Sequence, residues 1–513
     1  MKRMTALILA LVMMLALAAC AGGEKTNMAA NTDPLTKDDV IKITIMSHPS
    51  WPYREDWKAW EYAAEGSGAT LDVTAVPNSD VGTKYPIIFA SPDLLPDIIT
   101  FDYKQGSDRY AQQGALVAFD DVAEYMPNYT SYIEGLDEVT YNATVGLRKA
   151  YDGKVYYTPV FGRERSQNVR AWMYRKDIFD KHNLAVPTTY DELYDVCKQL
   201  KALYPDSYPY CIRQKFTNLD VQGPSWKPYW TTGFYYDYET GTWNYGAITD
   251  TMLKVLTFHK KMIDEGLCTP NFLTINTASW QELITTDRGF IMPEYQTRID
   301  FFNGMAKENN PEFKLAAILP PIADPETGVA MVNKYNVDPY GMSLCNTGDD
   351  ARIANAAKYL NWLYSDEAEL LMGWGKKGET YEVVDGKKVF ITDETSSQPN
   401  TLYGFSTGGT FTRIDPTAIE AMETEDIAST REMVLGYTMP NANPAGYLAF
   451  SEEEQKIRDE KATELTTYIE EMVTKFLLGQ ESLSKWDEYV ATVKSMGIDD
   501  LLAIYETAYN RMK

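Results

Sequence analysis

Three short apolar runs lie near the start of the chain: IKITIM (41–46), LDVTAV (71–76) and PDIITF (96–101). Stretches of helical character separate them, at 55–65 and near 80–90. In the first run Ile41, Ile43 and Ile45 fall on one side, at the two-residue period of a strand. Gly66 stops the first helical stretch. Strand, helix, strand, helix, strand in that order predicts a parallel sheet covered by helices. In open sheets of this kind a ligand sits off the carboxyl ends of the strands. Here those ends run into 47–53, 77–80 and 102–106, which hold His48, Trp51, Tyr53, Asp102 and Tyr103.

A second α/β region begins near residue 155. VRAWMYR (169–175) reads as a strand, followed by a helix through Phe179. A helix is expected from Tyr190 to Leu203, with Thr189 as N-cap and Glu192 as capping-box partner. Met252, Val255, Leu256, Met262 and Ile263 share one face of a helix over 251–265, which Gly266 ends. Residues 354–374 are predicted helical. Ser451 and Glu454 form a capping box before a helix to about Leu478, and a last helical stretch covers about 484–510. At 513 residues with 44% hydrophobic content the chain can bury a large core, in roughly two to four domains.

The first twenty residues carry an address. Lys2 and Arg3 precede an apolar stretch over 6–17, and Leu17-Ala18-Ala19-Cys20 resembles a bacterial lipobox. The alternative is a retained membrane helix, but 4–21 is barely long enough to span a bilayer. Cleavage before Cys20 makes it the first mature residue. Diacylglycerol on its thiol and a fatty acyl chain such as palmitate on its amine then anchor it stably. AGGEKTNMAANTDPLT (21–36) is small, polar and without period, a flexible tether. The expected location is the extracytoplasmic face of a bacterial cell membrane.

A net charge of −25 repels phosphate backbones, which excludes nucleic acid as a partner, and it disfavours anionic membrane surfaces. No Gly-rich phosphate loop is present. The three histidines, His48, His182 and His259, form no HExxH or HxH pattern, and His259 falls on or beside an apolar helix face. No GxSxG elbow occurs. A carboxylate-pair glycosidase needs no fixed spacing, and no local motif supports one. Cys197, Cys211, Cys268 and Cys345 lack CxxC spacing and read as buried free thiols. A Cys197–Cys211 disulfide is the alternative in an exported protein. No cofactor or metal is expected.

The sharpest shift in composition is WKPYWTTGFYYDYETGTWNY (226–245), with nine aromatic residues. Such rings either pack in the core or form a platform for sugars, whose C–H faces stack on aromatic faces while hydroxyls bond to the polar rim. One basic knot, GRERSQNVRAWMYRKD, carries Arg163, Arg165, Arg170 and Arg175. It suits either a uronic-acid carboxylate or local ion pairing with Glu164 and Asp177, and the second is favoured.

Several stretches together resemble a known family. They are SPDLLPDII (91–99), YTPVFGRERSQNVRAWMYRKDIFDKHNLAVPTTYDELYDVCKQLK (157–201) and GTWNYGAITDTMLKVLTFHKKMIDEGLCTPNFL (241–273). AAKYLNWLYSDEAELLMGWGKKGETYEVVDGKKVF (356–390) and the tail SKWDEYVATVKSMGIDDLLAIYETAYNRM join them. The chain resembles the extracellular solute-binding proteins of bacterial ABC sugar importers, family 1, over nearly its whole mature length.

The resemblance implies an α/β, two-lobed periplasmic-binding-protein-like fold of type II, with a hinge between lobes and the ligand cleft at their interface. Lobe one would take 37–158 with 335–410, and lobe two 159–334 with 411–513. The chain would cross near 157–162, near 331–338 and near or after Gly375. A ligand contacting both lobes holds such a hinge closed. The implied function is capture of a sugar, preferably an oligosaccharide, by a monomer that delivers it to ABC permease subunits and is not an enzyme. The alternatives are a surface-anchored glycoside hydrolase or lyase and a peptide receptor. Candidate ligand residues are Trp51, Tyr53 and Asp102 from lobe one, Arg163 near a crossover, and Trp172, Trp226, Trp230, Trp280, Tyr295 and Arg298 from lobe two. Asp338 and Tyr340 follow the second crossover. On this reading Trp230→Ala weakens sugar binding and leaves the melting temperature nearly unchanged. Alginate-binding members of the family carry a calcium loop after the YDEL helix. Here LYPDSYPYCIR (203–213) offers one carboxylate, Asp206, where calcium takes about six to eight oxygens, so no calcium site is expected and an alginate ligand carries over less well.

Overall fold

Strands form over the predicted runs at 41–46, 71–76, 96–101 and 169–175, and at further places that the sequence reading did not mark. In chain order these are β1 (Val40–Ser47), β2 (Thr70–Pro77), β3 (Ile98–Phe101), β4 (Leu116–Val117), β5 (Arg170–Arg175) and β6 (Phe234–Asp237). Then come β7 (Thr242–Tyr245), β8 (Ile291–Tyr295), β9 (Leu315–Ile318), β10 (Gly341–Cys345), β11 (Tyr381–Val384) and β12 (Lys387–Phe390). The computed structural model describes residues 32–48, 52–162, 170–213, 215–226, 230–323, 326, 329–334, 340–392, 399–405 and 412–512. Leu35–Lys513 forms one compact unit.

The first sheet has the order β2-β1-β3-β10-β4. β1 runs parallel to β2 and β3, as the strand–helix alternation predicts. β10 returns late in the chain and inserts antiparallel between β3 and β4. Both faces are covered. Ile41, Ile43, Ile45, Ile98, Met342 and Leu344 pack on the Lys58–Ser67 and Asp350–Trp362 helices. Val76, Ile99, Phe101 and Cys345 face Tyr85, Phe89 and Tyr110 on the other side.

The second sheet has the order β8-β5-β9, all antiparallel. It too is buried on both faces. Trp172, Tyr174, Ile291 and Ile318 join the Tyr190–Leu203, Asp250–Asp264 and Glu452–Leu477 helices in one core. Ala171, Met173, Met292 and Leu315 join the Thr277–Thr285, Arg298–Ala306 and Glu425–Leu435 helices in another. Each sheet therefore has its own core, which is the basis of a two-lobed α/β fold.

Two backbone junctions tie segments far apart in sequence. Phe161 N–H donates to Thr412 O and Ile414 N–H to Phe161 O; Val332 and Met439 exchange similar bonds with Tyr437 and Val332. Gly162, at φ 91°, needs to be glycine, because a Cβ there would lie 1.7 Å from Ile414 O. Residues 412–422 pack with the first sheet's segments: Trp374 Nε1 donates to Asp415 at 2.8 Å, and Arg413 pairs with Asp366 and Glu369.

Three helical expectations are corrected. The 354–374 stretch is two helices, Asp350–Trp362 and Asp366–Gly373, because the Ser365 hydroxyl accepts from Ala368 N–H and starts a new one. The 484–510 stretch divides at Gly497 (φ 92°) into Trp486–Ser495 and Ile498–Met512. Thr189 caps Glu192 N–H, but the Glu192 carboxylate bonds Thr188 instead, so the box is not reciprocal. The Ser451–Glu454 box is complete. All four cysteines among the described residues are buried free thiols, so no Cys197–Cys211 disulfide forms.

Candidate functional site

β8 ends in Pro293-Glu294-Tyr295, and the chain turns through Gln296 and Thr297 into the Arg298–Ala306 helix. Antiparallel register sets Glu294 opposite the small Ala171 and Tyr295 opposite Arg170. Glu294 is wholly buried. Its Oε1 accepts from Arg170 Nη1 at 2.9 Å and from Tyr295 N–H at 3.0 Å. Arg213 Nη2 lies 2.7 Å from Oε2, a close ion pair that lacks hydrogen-bond alignment. The Arg170 guanidinium lies 3.5 Å from the Tyr295 ring centre and that of Arg213 4.5 Å from Trp280. Arg298 is only 9% exposed and stands beside the pair. Burial lowers the pKa of Arg213 and of Arg298; Glu294 opposes the shift, and the neighbouring guanidiniums reinforce it.

The first sheet supplies the opposing side. His48 follows β1, Asp102 follows β3, and Tyr340 precedes β10. Gly341 pairs with Phe101, so Tyr340 and Asp102 occupy adjacent positions at one sheet end. Arg148 holds that turn by donating to Tyr340 O at 3.2 Å. Burial raises the Asp102 carboxyl above its ordinary range. Tyr53, whose N–H donates to Ser47 Oγ, sets its ring edge-on to Trp57 and Trp60 at 6.0 and 6.2 Å. His48 joins the two sides. Its pKa is lowered by burial and then by the charges of Arg298 and Arg213. The carboxyl end of β1 thus lies in the field of the arginines at the end of β8.

Residues 58–376, more than half of the chain, match the model of the bacterial extracellular solute-binding proteins. The chain belongs to that family. This solute-binding protein is 23% identical to lipoprotein LipO of Bacillus subtilis, across 100% of this chain and 99% of that one. It is also 23% identical to the polygalacturonan/rhamnogalacturonan-binding protein YtcQ of Bacillus subtilis, again across 100% and 99%. Among solved structures, the alginate-binding protein AlgQ2 without calcium superposes with a TM-score of 0.74 at 22% identity, covering 94% of this chain and 100% of that one. FusA of S. pneumoniae, bound to kestose, gives 0.74 at 17% identity, with 92% and 99% covered. These likenesses establish the two-lobed fold.

The solute-binding protein brings Tyr295 and Arg298 together with Arg170, Arg213 and Glu294, and brings Tyr53, Asp102 and Tyr340 to the end of the first sheet. It does not bring the expected tryptophans there. Trp172, Trp230 and Trp280 are each 1% exposed. Trp172 stacks on Tyr210 with centres 5.9 Å apart. Trp230 Nε1 donates to Thr249 Oγ1, and Trp280 Nε1 donates to Cys211 O. Rings covered on both faces leave no surface for a sugar, so these three are core residues. Trp226 is half-buried, edge-on to Tyr190 at 4.7 Å. The rest of the aromatic-rich stretch covers the C-terminal helix: Phe234 stacks on Tyr505 at 4.0 Å, and Tyr236 meets Tyr509 at 4.4 Å. Cys20, Trp51, Arg163 and Asp338 lie outside the described residues.

The basic knot divides. Arg175 pairs with Asp177 and Asp287, the local pairing favoured from the sequence, whereas Arg170 reaches the site. Arg213 and Glu294 escaped sequence reading, because nothing local marks them. His259 is fully buried with Nδ1 on Val255 O, its pKa lowered to about 4 by desolvation. Among the described residues no group of three or more His, Cys, Asp or Glu side chains is placed to hold a metal ion, and no helix is long and apolar enough to cross a membrane.

Proposed function

We propose that this solute-binding protein captures a sugar, preferably an oligosaccharide, in the cleft between its lobes and delivers it to the permease of an ABC importer. The observation that carries this reading is the field of Arg213 and Arg298 on His48, which links the end of one doubly covered sheet to the end of the other. A ligand seated there touches both lobes, and only such a ligand shifts a hinge toward closure. The names of the polygalacturonan-binding, alginate-binding and kestose-bound relatives support a carbohydrate as the solute. Cys20 is the lipid anchor and 21–36 the tether, in keeping with the lipoprotein relative. Lobe one takes 37–158 and 335 to about 423, since 412–422 packs on Trp374 and its neighbours; lobe two takes the remainder.

The protein acts without catalysis. A glycosidase needs two carboxyl groups free to exchange protons or attack. Here Glu294 is held by Arg170 and Arg213, so among the described residues of the site it is not free to partner Asp102. The test is a thermal-shift screen of the soluble form, residues 21–513, against neutral and uronic oligosaccharides, with product analysis of the same mixtures. A ligand specific to the native state raises the melting temperature. A rise with the sugar recovered intact supports capture, and cleaved sugar supports the hydrolase instead.

A further inference from the structure

Among the described residues, Arg213 and the nearly buried Arg298 share a single carboxylate at the end of β8, and we propose that these two arginines bind the carboxylate of a uronic-acid residue in an acidic oligosaccharide. This inference rests on the sugar-capture reading and names the class of sugar.

Among the described residues, Arg170, Arg213 and Arg298 gather around one carboxylate, that of Glu294. The chain does not lack acids, with 73 Asp and Glu against 48 Lys and Arg. Elsewhere it spends them freely on sheltered arginines. Arg175 meets Asp177 and Asp287, Arg431 meets Glu423 and Glu432, and Arg413 meets Asp366 and Glu369. At the end of β8 the ratio is reversed. Among the described residues no carboxylate lies within ion-pairing distance of Arg298, although it is nine-tenths buried. The Arg298 guanidinium has the Phe301 ring at 5.1 Å and the more distant charge of Glu294, but a cation desolvated to that degree without an ion pair is costly. Its position adds to the cost, because Arg298 opens the Arg298–Ala306 helix at the positive end of the helix dipole. The same field favours an arriving anion.

The geometry suits a carboxylate. Arg213 lies against Trp280, which fixes the plane of its guanidinium, and its Nε is buried without a hydrogen-bond partner. Guanidinium forks held in one plane match the two oxygens of a carboxylate. The Gln296 Oε1 is likewise buried and unpartnered, an acceptor for a sugar hydroxyl beside the charge. His48 faces them from the first sheet, its pKa lowered first by burial and then by the charges of Arg298 and Arg213.

The experiment is calorimetric titration of residues 21–513 with trimers of galacturonate, mannuronate, guluronate and glucuronate. The same trimers as methyl esters, neutral trisaccharides and a sulfated trisaccharide complete the set. At least one uronate trimer is expected to bind about tenfold or more tightly than its uncharged ester, with the gap narrowing as salt rises. Arg298→Gln is expected to erase that gap without lowering the melting temperature of the ligand-free protein, since it relieves repulsion among the guanidiniums. Arg109→Gln removes the same charge from the exposed Arg109–Asp459 pair and is expected to leave the gap intact. Esters binding as tightly as acids, a gap that survives Arg298→Gln, or binding of the sulfated sugar alone each overturns the inference. Neutral trisaccharides binding while all uronates fail overturns it and leaves sugar capture standing. Failure of every glycan overturns both.

Discussion

The two sheets are built alike and end differently. Each is covered by helices on both faces, and each turns one end toward the other. Among the described residues the first ends in an aromatic ring, an imidazole whose pKa is lowered and a carboxyl whose pKa is raised: Tyr53, His48 and Asp102. The second ends in three guanidiniums around Glu294. Polar and stacking groups thus come from one lobe and concentrated charge from the other. On the proposed reading a ligand must touch both ends, and affinity then depends on closure.

The comparison can be broken first at the rings. Trp230→Ala empties a core site behind the second sheet and is expected to destabilise the protein by about 3–5 kcal/mol, read by thermal or urea unfolding. This reverses the expectation from sequence, and an unchanged melting temperature would return Trp230 to the ligand. Glu294→Gln comes next. Loss of the buried charge removes the carboxylate that both Arg170 and Arg213 meet, with an expected cost of about 3–5 kcal/mol. Asp102→Asn, which removes a desolvated carboxyl that makes no ion pair among the described residues, is expected to leave the melting temperature level or slightly higher. Equal losses in the two variants would erase the difference between the sheet ends.

A third test sharpens the contrast through pH. His259 titrates near 4 in the folded protein and near 6.5 when unfolded. Between those values the unfolded chain binds the extra proton, so stability falls as pH drops from 6.5 to 4, by about 3 kcal/mol from this residue. His259→Leu is expected to remove that part of the slope, measured by unfolding at pH 7, 5.5 and 4. A slope identical to the parent's would show that His259 is not held neutral in the second lobe. The smallest effect is expected at Tyr53. Tyr53→Ala is expected to weaken oligosaccharide binding about tenfold, the size of a single stacking contact, with little change in melting temperature.

How much could be read without coordinates varies by residue type. Helix starts were legible at Ser451 with Glu454 and, for the Thr189 cap, before the Tyr190–Leu203 helix. Breaks inside long helical patterns were not, because Ser365 looks like any polar helix residue until its hydroxyl caps Ala368. Tyr295 and Arg298 became candidates through the family resemblance, which implies that their loop faces the cleft. Arg213 did not, because it comes to Glu294 only when a loop following the Tyr190–Leu203 helix meets the end of β8. The tryptophans misled for the same reason. A ring prized by a sugar is equally prized by a core, and only the neighbours on both faces tell the two apart.

From sequence alone came the alternation that dictates parallel strands with helical cover, the N-terminal address ending at Cys20, and the family resemblance. These rest on periodicities and short motifs that span a few turns of chain. Tertiary structure alone decided the insertion of β10 into the first sheet, the burial of Trp172, Trp230 and Trp280, and the gathering of three arginines on one carboxylate. Those depend on contacts between residues tens to hundreds of positions apart, where charge balance and solvent exposure are properties of the folded surroundings and not of the residue itself.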